Sequence, residues 1–342
     1  MQFSVRKFIA IAILSFLCTG ISVAQSVSLP DDIENLTILA KKNNVEAQTM
    51  LGYMYYYGDG VKADAKQAEK WLKKAADKKN ADAQYLLGLM YWDGVSGKSD
   101  IKKAVKYFNE AAANGSADAM YYLGYCYAQG YGVTQNYQES LNYYTNAANS
   151  GSVDAQSLLA DMYLNGTGVE KDPEQYIFWL TQAANNGSLD DQFELGLCYE
   201  KGSYVEKNPK EAVRYYQMAA NEGAAKAQYN LAICYLNGNG VPKSTIDAAD
   251  YMKMAADQGD VWAQCNLGHF YEYGIGVGED DSKAAEYFRM AAEQGDAAAQ
   301  YRLGRCYQQG IGVDRSLSEA REWYGKAAEQ GYQEAKEALS GL

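Results

Sequence analysis

The sequence predicts an all-α protein, a file of eight 36-residue helix-turn-helix repeats with an extra helix at each end, and three observations carry that prediction. The pair Ala75-Ala76 returns as Ala111-Ala112, Ala147-Ala148, Ala183-Ala184, Ala219-Ala220, Ala255-Ala256, Ala291-Ala292 and Ala327-Ala328, each step being 36 residues with no insertion. Leu51 and Tyr55 recur on the same ruler, from Leu87 and Tyr91 to Leu303 and Tyr307. Within each period the small and apolar residues are spaced for helices, not for alternating strands.

The first element is not part of the fold. Arg6 and Lys7 precede an apolar run from Phe8 to Leu17, and Ser22-Val23-Ala24 has the small residues that signal peptidase prefers. Residues 1–24 are expected to be a leader cleaved after Ala24, and the run is shorter than the roughly 20 residues a bilayer span needs. A lipid anchor on Cys18 is the rival reading, but Leu17 sits where a small residue is wanted. Residues 25–44 then form an N-terminal capping helix: LTILAKKNN echoes WLKKAADKKN of the first repeat. Such caps shield the apolar ends of a stacked array.

The repeats occupy residues 45–331. Helix A of the first carries Ala47, Leu51, Met54, Tyr55 and Gly58 on one stripe, and helix B carries Ala68, Trp71, Leu72, Ala75 and Ala76. Helix B starts at a column of N-cap residues, Asp64, Asp100, Asn136, Asp172, Asn208, Ser244, Asp280 and Ser316, whose side-chain oxygens can accept first-turn amides. Pro173 and Pro209 follow at the first helical position, where no N–H is needed. The glycines of YGIGVG invite a phosphate-cradle reading, but Glu279 breaks the dinucleotide fingerprint. Gly274 and Gly276 match Gly58 and Gly60 and four further pairs, so they are read as turning helix A into helix B; Gly278 lacks that recurrence. The column of Gly52 lets the two helices approach closely. Residues 332–342 form a C-terminal capping helix, with Ala335 and Leu339 on the same grid.

Net charge is −12, and loss of the leader's two basic residues makes it −14. That balance repels phosphate backbones and anionic lipid heads, so nucleic acid is excluded as a partner, and no later segment is apolar enough for integral membrane association.

In the last full repeat Ala299, Leu303, Gly304, Tyr307, Gly310, Gly312, Val313, Ala320, Trp323, Ala327, Ala328 and Gly331 carry a pattern that resembles the Sel-one-like repeat family, relatives of the tetratricopeptide repeats. The resemblance implies a right-handed α/α superhelix, or solenoid, with helix A on its inner curve, acting as a non-enzymatic adaptor. Exported members of the family are associated with envelope maintenance or host contact. Local departures, among them Ser96-Gly97, Ser203-Tyr204, Tyr176 and Asp191, lead us to expect the softest packing around repeats 4 and 5.

No catalytic, cofactor or metal site is expected. Cys126, Cys198, Cys234 and Cys306 share a column filled elsewhere by Met54, Met90, Met162 and Phe270, which marks a buried apolar slot. Free thiols are expected there, a bridge through Cys234 or Cys265 being the alternative. His269 is the one histidine, and no second imidazole accompanies it. The columns of Tyr55, Tyr85, Tyr107 and Tyr144 are mainly aromatic and read as structural.

Comparing copies, helix A varies most at the columns of Met50, Tyr53 and Tyr57, which share a face. Along the array this strip runs Met50, Tyr53, Tyr57, Leu86, Leu89, Tyr122 and Tyr125, then Asp161, Asn165, Glu194 and Lys201, then Asn230, Asn237, Asn266, His269, Tyr273, Arg302 and Arg305. An exposed aromatic patch leading to amides and arginines suits a protein or peptide of the envelope or a host, since Tyr and Arg dominate interface anchors. Peptidoglycan or another glycan stacked on tyrosines is the second reading. A β-lactamase-like hydrolase is the third, without an S-x-x-K, G-x-S-x-G or H-E-x-x-H string to support it. The expected location is the periplasm or the exterior.

Overall fold

The computed structural model describes residues 29–95 and 97–342, with side chains from Ile33 onward. The leader, its cleavage point after Ala24 and Cys18 lie outside the described residues. Among the described residues there are eighteen helices and no strand. Helix α1 (Leu29–Lys41) is followed by eight pairs: α2 (Val45–Tyr57) and α3 (Ala65–Ala76), α4 (Ala81–Asp93) and α5 (Ile101–Ala113), α6 (Ala117–Gln129) and α7 (Tyr137–Asn149), α8 (Val153–Asn165) and α9 (Pro173–Asn185). Then come α10 (Leu189–Lys201) and α11 (Pro209–Asn221), α12 (Ala225–Asn237) and α13 (Thr245–Asp257), α14 (Val261–Tyr273) and α15 (Asp281–Glu293), α16 (Ala297–Gln309) and α17 (Leu317–Glu329), and lastly α18 (Gln333–Ser340). This is the all-α helix-pair solenoid class that the period predicts. The helices fall into two compact units, one ending at Ala119 and including Tyr131–Thr134, the other formed by Met120–Gly130 and Gln135–Leu342.

Local chemistry sets the boundaries. Each residue of the predicted column from Asp64 to Ser316 caps its helix B, its side-chain oxygen accepting backbone N–H groups of the first turn. Helix A has caps that the sequence reading missed: Asn44, Asn80, Ser116, Ser152, Ser188, Asp260 and Asp296 accept in the same way, and only Ala224 supplies no side chain for the purpose. The turn glycines are left-handed, Gly274 at φ 62° and Gly276 at φ 70°, whereas Gly278 is not. In repeat 5 Tyr204 takes the second position at φ 65° and rests edge-on against Tyr176, ring centroids 5.2 Å apart.

Packing follows the columns. Within each unit a helix packs on its neighbours in sequence, α14 on α13 and α15 for example. In five of the pairs tyrosines read as structural stack from helix A to helix B with nearly parallel rings, Tyr91 on Tyr107 at 5.5 Å and 3°, and Tyr271 on Tyr287 at 5.8 Å and 5°, for example. Gly268 sits under the Phe288 ring, so close that a Cβ there would lie 2.7 Å from it. The cysteine column is buried as expected, and all five described cysteines are free.

A further column went unread in the sequence. Gln48, Gln84, Gln156, Gln192, Gln228, Gln264 and Gln300 are all buried. Each donates its amide to the backbone carbonyl eight residues earlier, at the end of the preceding helix. In five copies the side-chain oxygen then accepts from an amide thirty residues later: Asn114 on Gln84, Asn186 on Gln156, Gln258 on Gln228, Gln294 on Gln264 and Gln330 on Gln300. In repeat 5 the residue at that place is Glu222, which when ionised can only accept. Gln192 Oε1 is accordingly buried without a hydrogen-bond partner. Glu222→Gln is expected to supply the donor and stabilise the protein by about 1 kcal/mol, the net worth of one such bond. The check is the urea midpoint, and an unchanged or lower midpoint would refute this reading.

Candidate protein-docking face

The variable strip lies on helices A, and its three sections differ. In the N-terminal unit Tyr53 (6% exposed), Leu86 (0%) and Leu89 (6%) are buried, which corrects the expectation of an open apolar patch there. Helices α2 and α4 also touch each other directly, and inner apolar side chains are what such a contact consumes. Met50 and Tyr57 are half-buried, and Tyr57 packs against Tyr53 and Tyr56 with centroids 4.7 and 4.4 Å away. On α6, in the C-terminal unit, Tyr125 is exposed; Tyr122 is half-buried and meets Tyr121 edge-on at 6.1 Å.

The middle section is acidic. Asp154, Asp161, Asp190, Asp191 and Glu194 help to line a hollow of about 480 Å³ between the helices of repeats 4 and 5. Burial holds the Asp191 carboxyl above the usual carboxylate range, although the hydroxyls of Ser157 and Ser188 act in the other direction. Burial and the nearby Asp191 charge raise Asp161 as well. Of these only Asp161 and Glu194 belong to the predicted strip; Asp191 enters the sequence reading only as a local departure from the repeat.

The far section forms a grid on the A helices of three successive repeats: Asn230, Ile233 and Asn237 on α12, Asn266, His269 and Tyr273 on α14, Arg302, Arg305 and Gln309 on α16. The structure brings the predicted residues of α14 and α16 together. His269 and Tyr273 rings meet at 4.6 Å, and Tyr273 is 52% exposed. Glu272, which the strip analysis passed over, pairs with both arginines: Arg302 Nη1 lies 3.2 Å from its Oε2, and Arg305 donates to its Oε1. The Arg302 guanidinium also covers the Phe288 ring, 5.6 Å from its centroid. Burial and Arg302 push His269 below its ordinary value, with Arg305 adding to the effect and Glu272 opposing it. Beside this cluster Trp262 is 63% exposed, 6.1 Å from Tyr229, with Asn266 donating to the Trp262 carbonyl at 2.8 Å. Its column holds charged or small residues in the other repeats, a signal the sequence offered and the strip criterion missed.

The thiols show no activated member. Burial pushes Cys126, Cys234 and Cys265 up to about 12 and Cys306 up to about 11, the opposite of what a nucleophilic thiolate needs. Among the described residues no three His, Cys, Asp or Glu side chains are grouped to hold a metal ion, and no helix is long and apolar enough to cross a membrane.

Comparison with known proteins agrees with the architecture. The family profile described as Sel1 repeat matches residues 45–80, 81–116, 117–152, 153–188, 190–223, 225–260, 263–296 and 297–332. A protective antigen present in uropathogenic Escherichia coli strains, displaying an SLR fold, is 33% identical over 92% of this chain and 67% of its own, with a TM-score of 0.78. A Sel1 repeat protein from Oxalobacter formigenes is 28% identical over 96% of this chain and 99% of its own, with a TM-score of 0.59. No curated protein sequence matches. With eight consecutive matches laid over eight helix pairs, the chain belongs to the Sel1 repeat family.

Proposed function

We propose that this chain is an exported, non-enzymatic scaffold that binds a protein or peptide partner of the cell envelope or a host along the helix-A face. The observation that supports it best is the face of repeats 6 to 8. There amides, an imidazole, an exposed tyrosine and two arginines are displayed on a rigid stack of helices, a combination suited to interface anchoring. Buried thiols held in the protonated form argue against a cysteine hydrolase. Export rests on the leader pattern, and the description of the Escherichia coli relative as a protective antigen supports it.

The mature chain should capture its partner from envelope extract, and Tyr125→Ala with Tyr273→Ala should lower that capture at least tenfold while far-UV helicity stays unchanged. Undiminished capture by the double variant would count against the face. The glycan reading draws on Trp262, whose exposed indole could stack on a sugar ring. Retention on purified peptidoglycan that is lost in Trp262→Ala, with no protein captured, would replace the first reading by the second.

A further inference from the structure

We infer that Arg302 and Arg305 on α16, held in place by Glu272 of α14, receive the carboxylates of an acidic peptide segment laid across the helix-A face of repeats 6 to 8. The inference rests on the docking function proposed above and names the chemistry of its partner.

Charge balance comes first. Two guanidiniums share one carboxylate, whose side chain is 11% exposed while theirs are 29% exposed, so the cluster keeps an excess of one positive charge open to solvent. The chain as a whole is strongly negative. At physiological ionic strength, however, charges more than about 8 Å away are largely screened, so a ligand at the arginines responds to this local excess. The acidic hollow lies on α8 and α10, and α12 stands between it and α14. Helices pack about 8–10 Å apart, which puts the hollow beyond that screening length.

Geometry comes second. A guanidinium carries five N–H groups in a planar fork, and a carboxylate on Glu272 offers two oxygens to two such forks. The pairing fixes both side chains before a ligand arrives, which lowers the ordering entropy of binding. The neighbours favour a polypeptide over a bare anion. Asn230 of α12 and Asn266 of α14 stand in the column of Arg302, partly open to solvent, and Tyr273 offers an aromatic surface to an adjoining side chain.

His269 makes the inference directly measurable, because it is the one histidine in the chain and sits within the cluster. The charged groups acting on its ring are Glu272 of its own helix and Arg302 and Arg305 of α16. A carboxylate arriving at the arginines offsets their repulsion, so the imidazole should bind its proton more readily. By linkage the peptide should then bind more tightly when His269 is protonated, by the same factor as the proton affinity rises.

The experiment titrates the His269 ring signals by NMR with and without blocked hexaglutamate, hexaglutamine being the control. Hexaglutamate is expected to raise the His269 pKa by about half a unit and so to bind about twofold tighter at pH 5.5 than at pH 7.5, about threefold being the limit for full protonation. Arg302→Gln with Arg305→Gln should abolish the shift. No shift with millimolar hexaglutamate, an equal shift with hexaglutamine, or an undiminished shift in the Arg302→Gln, Arg305→Gln double variant overturns the inference. Any of these results with capture still sensitive to Tyr125→Ala and Tyr273→Ala leaves the docking function standing with a partner of other charge.

Discussion

Replacing Gly268 by alanine is expected to destabilise the protein by about 2–3 kcal/mol, against the helix-propensity gain of about 1 kcal/mol that the same change brings at an exposed helical site. The physical reason is a ring. A Cβ at Gly268 lies 2.7 Å from Cδ1 and Cε1 of Phe288 and 3.1 Å from the Ala284 carbonyl oxygen, so either α14 and α15 separate or the ring leaves its rotamer. The repeats already contain the compensated arrangement. Glycine faces Phe108, Tyr144, Tyr216 and Tyr324 at equivalent places, whereas Ala160 and Ala232 stand where the residue twenty later is Leu180 or Met252. Gly52 against Leu72 shows that glycine is tolerated without a ring. A flexible partner accommodates a methyl group that a planar ring cannot. Phe288→Met in the Gly268→Ala background should therefore recover stability, with a coupling energy of about 1–2 kcal/mol in a double-mutant cycle by urea unfolding. Additive effects would show that the ring is not what the glycine serves.

The fold was legible because most of its determinants are local and repeated. A cap residue, a left-handed glycine and an alanine stripe act within a few residues of themselves, so eight copies on one ruler reveal them without knowledge of tertiary contacts. Asp64 to Ser316 illustrate this, each capping its own helix. The glutamine column is equally periodic but escaped, because its partners are a carbonyl of the preceding helix and an amide thirty residues on. The face was less legible. Variation between copies marks positions free of a common packing rule, and freedom from a rule is not exposure: Leu86 and Leu89 lie in columns that vary from copy to copy and are nevertheless buried. Polar positions fared differently, because burying an unpaired amide or guanidinium is unfavourable, so Asn266, Arg302 and Arg305 keep access to solvent. Glu272 was missed since its role depends on a helix thirty residues away.

Gly312→Ala is expected to destabilise the protein by about 3 kcal/mol or more, and Gly310→Ala by only about 1 kcal/mol, although the two residues share one turn and one backbone region. Both are left-handed, at φ 74° for Gly310 and 66° for Gly312, so a side chain at either adopts an unfavourable conformation. Surroundings separate them. A Cβ on Gly310 would meet the Arg315 Cβ at 3.3 Å, a contact that a small shift relieves. On Gly312 it would lie 1.9 Å from the Asp281 carbonyl oxygen and 2.8 Å from the Ser282 nitrogen, the opening backbone of α15 in the previous repeat. Backbone inside a helix cannot step aside, so the turn and with it repeat 8 must move away from repeat 7. Gly276 meets the Thr245 carbonyl and Gly240 the Pro209 carbonyl in the same way, so the second turn glycine closes the joint between repeats. Because a stacked array draws its cooperativity from such nearest-neighbour joints, Gly312→Ala should do more than lower the urea midpoint. It should uncouple the last repeat, so that the Trp323 environment reports unfolding at lower urea than far-UV helicity does. Coincident transitions, or equal losses from Gly310→Ala and Gly312→Ala, would mean that both glycines serve only the turn.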